Sequence, residues 1–269
     1  MNQVFFSLFK NKVSGKSKQE AVKYILEVCV DSLESAINAQ VAGADRVELC
    51  CNLNEGGTTP SYGTIVTVRQ NLEIEVYVMI RPRGSDFLYT DPEFDIMKRD
   101  IEVCGEAGAD GIVIGMLQRD GNIDIDHTSK LIEIARPLRV TFHRAFDMCA
   151  DPIKCLEDVI STGAERLLTS GQKKDALEGS DLIEKLVKQA DNRIIIMPGG
   201  GINESNIIKI ARVTGANEFH LTGRKIINSE MIYRKSGVFM GGIPEPGEFS
   251  KKVADTEKIA NIINELNLI

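Results

Sequence analysis

Short apolar runs recur along the chain, and most end in a signal for the start of a helix. "YILEVCV" (24–30) runs into Asp31, with Glu34 three residues later in a capping-box pattern. "RVELC" (46–50) leads through a glycine loop to Thr59 and Pro60, and "EVYVMIRP" (75–82) leads to Asp91 and Pro92. These pairs read as an N-cap followed by proline at the first helical position. "GIVIGML" (111–117), "RVTFHRAF" (139–146, before Asp151-Pro152), "RLLTSG" (166–171), "RIIIMPGGG" (193–201, before Asn203) and "EFHLTG" (218–223) complete the set. Between them lie helical patterns such as "DPEFDIMKRDIEVCGEAGA", with apolar residues three and four apart and glycine near the end. About eight strand–helix units at this length predict an α/β protein, a single (β/α)8 TIM barrel of parallel strands. An open doubly wound sheet is the alternative. Residues 1–19 read as an N-terminal extension and 20–269 as the barrel domain. The Gly- and Pro-rich stretch 224–251 is a long connection before a last helix at about 252–266, and suits a lid, an oligomer contact or a wrapped tail.

Parity along the strands divides their side chains into two faces. Glu27 and Cys29 oppose Val28 and Val30, while Glu48 and Cys50 oppose Val47 and Leu49. Tyr77, Met79 and Arg81 oppose Val76, Val78 and Ile80. Thr141 and His143 oppose Val140 and Phe142, and Glu218 and His220 oppose Phe219 and Leu221. The aliphatic face suits packing against helices, so Glu27, Glu48, Arg81, His143, Glu218 and His220 are expected inside the barrel. Unpaired burial there costs several kcal/mol per ion, so these groups must pair with one another or face water and ligand. A self-satisfied polar network is the alternative to a catalytic set. In the catalytic reading Glu27 and Glu48 supply acid–base function or hard-metal ligands and His143 transfers a proton. Asp147 either orients His143 or holds Arg144.

Composition narrows the partners. The chain of 269 residues has 43% hydrophobic and 26% charged residues and no apolar run near the length of a membrane span, so no membrane partner is expected. A net charge of −7 argues against a broad nucleic-acid footprint and leaves room for a local basic pocket. Six cysteines without dense disulfide spacing fit reduced thiols in the cytosol.

Several motifs suit small ligands. "MIRPRGSDFLYTD" (79–91) groups Arg81, Arg83 and Asp86, and paired guanidiniums suit a carboxylate or phosphate. An Arg81–Glu48 bridge is the alternative use. "MPGGGINESN" (197–206) puts Gly199, Gly200 and Gly201 before a helix start, where amides can meet an anion. Cys29 and Cys50 share face and depth on adjacent strands. Two thiolates so placed suit a soft ion such as Cu(I), with Met79 or His220 near; inert buried cysteine is the other reading.

The stretches "EVCVDSLESA", "GADRVELC", "EGGTTPS", "MIRPRG", "DFLYTD", "VTFHRAFDM", "LTSGQ" and "PGGGI" together resemble the CutC copper-homeostasis family over roughly residues 24–222. Ser85 and "HLTGR" depart from the family's pattern. The resemblance implies a single barrel, self-association as a homo-oligomer, and a cytoplasmic protein that also enters the nucleus in eukaryotes. It further implies copper(I) as the bound metal and carries the family's proposed copper cysteines onto Cys29 and Cys50. The residues themselves favour a second reading, an enzyme acting on an anionic small molecule at the C-terminal mouth of the barrel, and a third, a scaffold assembling through 224–251.

Overall fold

In a computed structural model that describes residues 23–238, 240 and 247–269, the apolar runs form eight short parallel strands. They are β1 (Ile25–Val30), β2 (Arg46–Leu49), β3 (Glu75–Met79), β4 (Gly111–Ile114), β5 (Arg139–Phe142), β6 (Arg166–Thr169), β7 (Ile195–Pro198) and β8 (Glu218–Leu221). Consecutive strands pair from β1 to β7, β8 pairs with β1, and a parallel bridge between Gly199 and His220 joins the two ends of the sheet. The result is a (β/α)8 barrel. The extension expected over residues 1–19 lies outside the described residues.

Helices α1 (Leu33–Val41), α2 (Tyr62–Asn71), α3 (Asp91–Glu106), α4 (Ile125–Ala135), α5 (Pro152–Thr162), α6 (Ser180–Ala190) and α7 (Ile207–Thr214) follow the first seven strands. Local chemistry starts them, at positions one or two residues from several of the expected caps. Ser32, not Asp31, caps α1, and Ser61, not Thr59, caps α2. The Thr59 hydroxyl instead accepts the Arg81 amide. Thr90 and Glu93 form a full capping box on α3, while Asp151 caps α5 as its Asp-Pro pair predicts. Each shift has one cause: a hydroxyl next to the first turn competes for the same orphan amide.

The stretch 224–251 is not a plain connection. Strand β9 (Arg224–Asn228) pairs antiparallel with β10 (Ser250–Ala254), and only then does α8 (Thr256–Leu266) begin. Residues 252–254, expected as helix, are strand because their backbone is claimed by β9 and by α1. The Ala254 amide donates to Ser35 Oγ (3.2 Å), and Asn38 donates to the Ala254 carbonyl (3.0 Å).

Buried apolar side chains fall into two separate clusters, as strand parity requires. Val28, Val47, Val78, Ile112, Phe142, Leu167, Ile196 and Phe219 belong to the large cluster that also holds the buried faces of the helices. Cys29, Cys50, Tyr77, Met79 and Val113 form a small one of the opposite parity, within the barrel. Charges close the N-terminal half of that interior. Arg46 bridges Glu27 (2.5 Å) and Glu218 (2.9 Å), and Arg166 reaches the same Glu218 (2.6 Å). Both guanidiniums lie over the Tyr77 ring, 4.7 and 5.5 Å from its centroid. Two cations thus neutralise two carboxylates in a water-poor layer.

Breaking such a pair from one side strands a buried charge, which costs about 3–5 kcal/mol. Arg46→Ala should therefore lower the urea unfolding free energy by about that much, because it uncovers both Glu27 and Glu218. A loss below about 1 kcal/mol would show that the layer tolerates an unpaired carboxylate.

Candidate functional site at the barrel mouth

Above the charged layer the strand ends line a cavity of about 240 Å³. Cys29 comes from β1, Glu48 from β2, Met79 and Arg81 from β3 and its end, His143 from the end of β5, and His220 from β8. Gly200 and Gly201 follow β7. The fold therefore brings together residues separated by nearly 200 positions, because every strand delivers its C-terminal end to one rim.

On one side of the cavity the side chains form a continuous chain of contacts. The Cys29 and Cys50 sulfurs are 3.7 Å apart, and the Cys50 thiol donates to Glu48 at 3.5 Å. Glu48 lies 3.8 Å from His220 Nε2, and His220 Nδ1 meets Glu27 Oε1 at 2.8 Å. Glu27 then leads to Arg46 and the charged layer. Burial pushes the Glu27 carboxyl up, but Arg46 and His220 outweigh it and hold the group down at about 2. Burial alone would discharge His220, yet Glu48, Cys29 and Glu27 raise its pKa well above the usual range. The contact with Cys50 draws the Cys29 thiol down to about 5 against its burial. Cys50 is pushed up by that contact and by burial. Glu48 is raised by burial and then by the Cys29 charge, and its Oε1 has no partner among the described residues. Two groups of possible metal ligands result, Cys29–Glu48–Cys50 and Glu27–Glu48–His220, with the ligand atoms of each within 4.8 Å of one another.

His143 stands apart from this chain. Its ring packs 5.1 Å from Phe87, and Nδ1 accepts the Ala145 amide (3.1 Å), which leaves the proton of the neutral ring on Nε2. That nitrogen is buried and has no partner among the described residues. Burial, with Arg81 nearby, lowers the pKa to about 3. Only glycine fits beside it: a Cβ on Gly115 would sit 2.3 Å from Nδ1.

Asp147 does not orient His143. Its carboxylate accepts from Arg144 (2.7 Å), the Thr169 hydroxyl (2.5 Å), the Ser170 amide and hydroxyl, and the Gln172 amide. Arg81 makes no bridge to Glu48; its guanidinium donates to the carbonyls of Glu55, Gly57 and Ser85, each at 2.8 Å, and so ties two rim loops together. Arg83 and Asp86 are not among the cavity's lining residues. They pair with each other (3.1 Å), and Arg83 also binds Glu93. Gly199 sits against Leu168 and His220 at the barrel seam, with Gly200 and Gly201 on the cavity beyond it. Arg46 and Arg166 are not singled out by motif, although Arg46 shares the parity of Glu48 and Cys50. Arg144 and Arg224 also line the cavity, from loop and ribbon positions that strand parity does not reach.

The CutC family profile matches residues 24–225. A human protein called copper homeostasis protein cutC homolog is 51% identical over 249 residues, covering 93% of this chain and 91% of its own. A CutC family protein of Parabacteroides distasonis is 51% identical, covering 88% of this chain and 98% of its own. The crystal structure of a CutC from Streptococcus agalactiae superposes with a TM-score of 0.71 at 38% identity, covering 74% of this chain and 98% of that one.

The His143 environment sets a sign for the pH dependence of stability. The folded protein keeps the ring neutral down to about pH 3, whereas the unfolded chain protonates it below about 6.5. The unfolded state then binds more protons, so stability falls as pH falls through that window, by about 1.4 kcal/mol per pH unit for a full proton. Urea unfolding of the parent at pH 6.5 and 4.5 should show a drop larger by about 2 kcal/mol than in His143→Gln. Equal drops would mean that the ring is not held neutral.

Proposed function

The chain belongs to the CutC family, and on that footing we propose that it serves copper homeostasis by binding Cu(I) through Cys29 and Cys50. The observation that carries this reading is the 3.7 Å separation of the two sulfurs, one of which lines the open cavity. A soft monovalent cation prefers thiolate and thioether to oxygen. Cys29 is already drawn toward thiolate, and Met79 belongs to the same interior cluster. The donor set therefore fits Cu(I) as cargo better than a hard divalent ion. Cys50 would lose its proton on binding, and that thiol already donates to Glu48 Oε2 at 3.5 Å.

The reading puts this binding in the reducing cytosol, with the nucleus as a second compartment. The six cysteines are free, and no helix among the described residues is long and apolar enough to cross a membrane. Assembly as a homo-oligomer belongs to the same proposal, supported by Met231, Ile232 and Tyr233, which stand exposed beyond β9.

Two measurements test these claims. Under competition with a Cu(I) chelator at neutral pH, Cys29→Ser/Cys50→Ser should lose more than the about 10–100-fold in affinity that loss of an outer-shell partner costs; parent-like affinity would end the copper assignment. By light scattering, Ile232→Asp/Tyr233→Asp should give a smaller particle than the parent, and an unchanged mass would remove this surface from the assembly.

A further inference from the structure

The wall formed by the ends of β5, β7 and β8 has the opposite chemistry to the thiol side. Arg81, Arg144 and Arg224 all line the cavity, against a single acidic lining residue, Glu48, in a chain whose net charge is −7. Arg81 is committed to three carbonyls. Arg144 gives Nε to Asp147 and Nη2 to Ser170, and its Nη1 lies 3.4 Å from where a Cβ on Gly200 would be. The Arg224 guanidinium has no hydrogen bond or ion pair among the described residues, although its residue is anchored by pairing with Ala254. The amides of Gly200, Gly201 and Ile202 likewise have no acceptor among the described residues, while the Gly199 amide is taken by Thr169. Both Gly200 and Gly201 have positive φ, 97° and 71°, a backbone that turns tightly and favours glycine. His143 adds the buried Nε2–H, which has no partner among the described residues.

Every one of these groups is a donor. We propose that this wall is a phosphate site, taking the dianion of a small phosphate monoester between Arg144 and Arg224 on the Gly200–Ile202 amides. Two guanidiniums and three consecutive amides exceed what the two oxygens of a carboxylate can accept, whereas the three terminal oxygens of a phosphate monoester can use them. The remaining space, within about 240 Å³, suits a short polyol or sugar rather than a nucleotide. This inference does not rest on the copper reading, since it uses neither Cys29 nor Cys50.

Calorimetric titration of the full chain with inorganic phosphate and with glycerol 3-phosphate, against acetate as control, tests it. The parent should bind both phosphates and not acetate. Arg224→Ala, which removes no side-chain hydrogen bond or ion pair among the described residues, should weaken them about tenfold or more, as loss of a charge-assisted donor does. Arg144→Lys should weaken them too, with an unchanged unfolding midpoint showing that the Asp147 contacts survive. Cys29→Ser/Cys50→Ser should bind phosphate like the parent, so a failed copper assignment and a failed phosphate site give different results. No heat with either phosphate at millimolar concentration, or equal binding by parent and Arg224→Ala, overturns the proposal.

Discussion

A carboxylate removed from water must be met by cations or hydrogen-bond donors or lose its charge, and Glu27 gives one oxygen to Arg46 and the other to His220. Much of the interior follows from that division. Through Arg46 the residue joins the neutral layer of Glu218 and Arg166 that fills the N-terminal half of the barrel. Through His220 it fixes an imidazolium beside Glu48, and Glu48 in turn faces the two thiols. A charged floor and a thiol-lined mouth are thus ends of one chain of hydrogen bonds and ion pairs. The thiol pair is held in place by electrostatics several residues deep.

The mouth divides into two chemistries. The β1–β2 side offers sulfur and carboxyl oxygen, groups that attract a cation, with one thiol already drawn toward its ionised form. The β5–β7–β8 side offers guanidiniums, amides without an acceptor among the described residues, and a neutral imidazole, all donors. His143 belongs to the second set even though its parity matches that of the acids. Burial and the neighbouring Arg81 keep it uncharged, and the Ala145 amide fixes which nitrogen carries the proton. Such segregation keeps groups of opposite chemistry on separate walls of one cavity.

The barrel and its polar interior were legible along the chain. Alternation over strands of four to six residues is a local property, so the side that Glu27, Glu48, His143 and His220 take could be derived from their neighbours alone. The adjacency of Cys29 and Cys50 followed from the same count on successive strands. The starts of α1, α2, α3 and α5 were legible to within two residues, since neighbouring Ser, Thr and Asp side chains compete for the same amides.

Partnership was not legible, because it depends on three-dimensional distance between elements far apart in sequence. Arg81 stands beside acids in the parity pattern yet spends its guanidinium on loop carbonyls, and Asp147 turns from the nearby His143 to Ser170 and Gln172. Nor does any local period announce that residues 250–254 are a strand, since they become one only by pairing with β9. Which side chains enter the barrel is written into each strand, through an alternation it carries internally. Which of them touch is settled when the barrel closes, because a buried charge takes the partner that closure brings nearest.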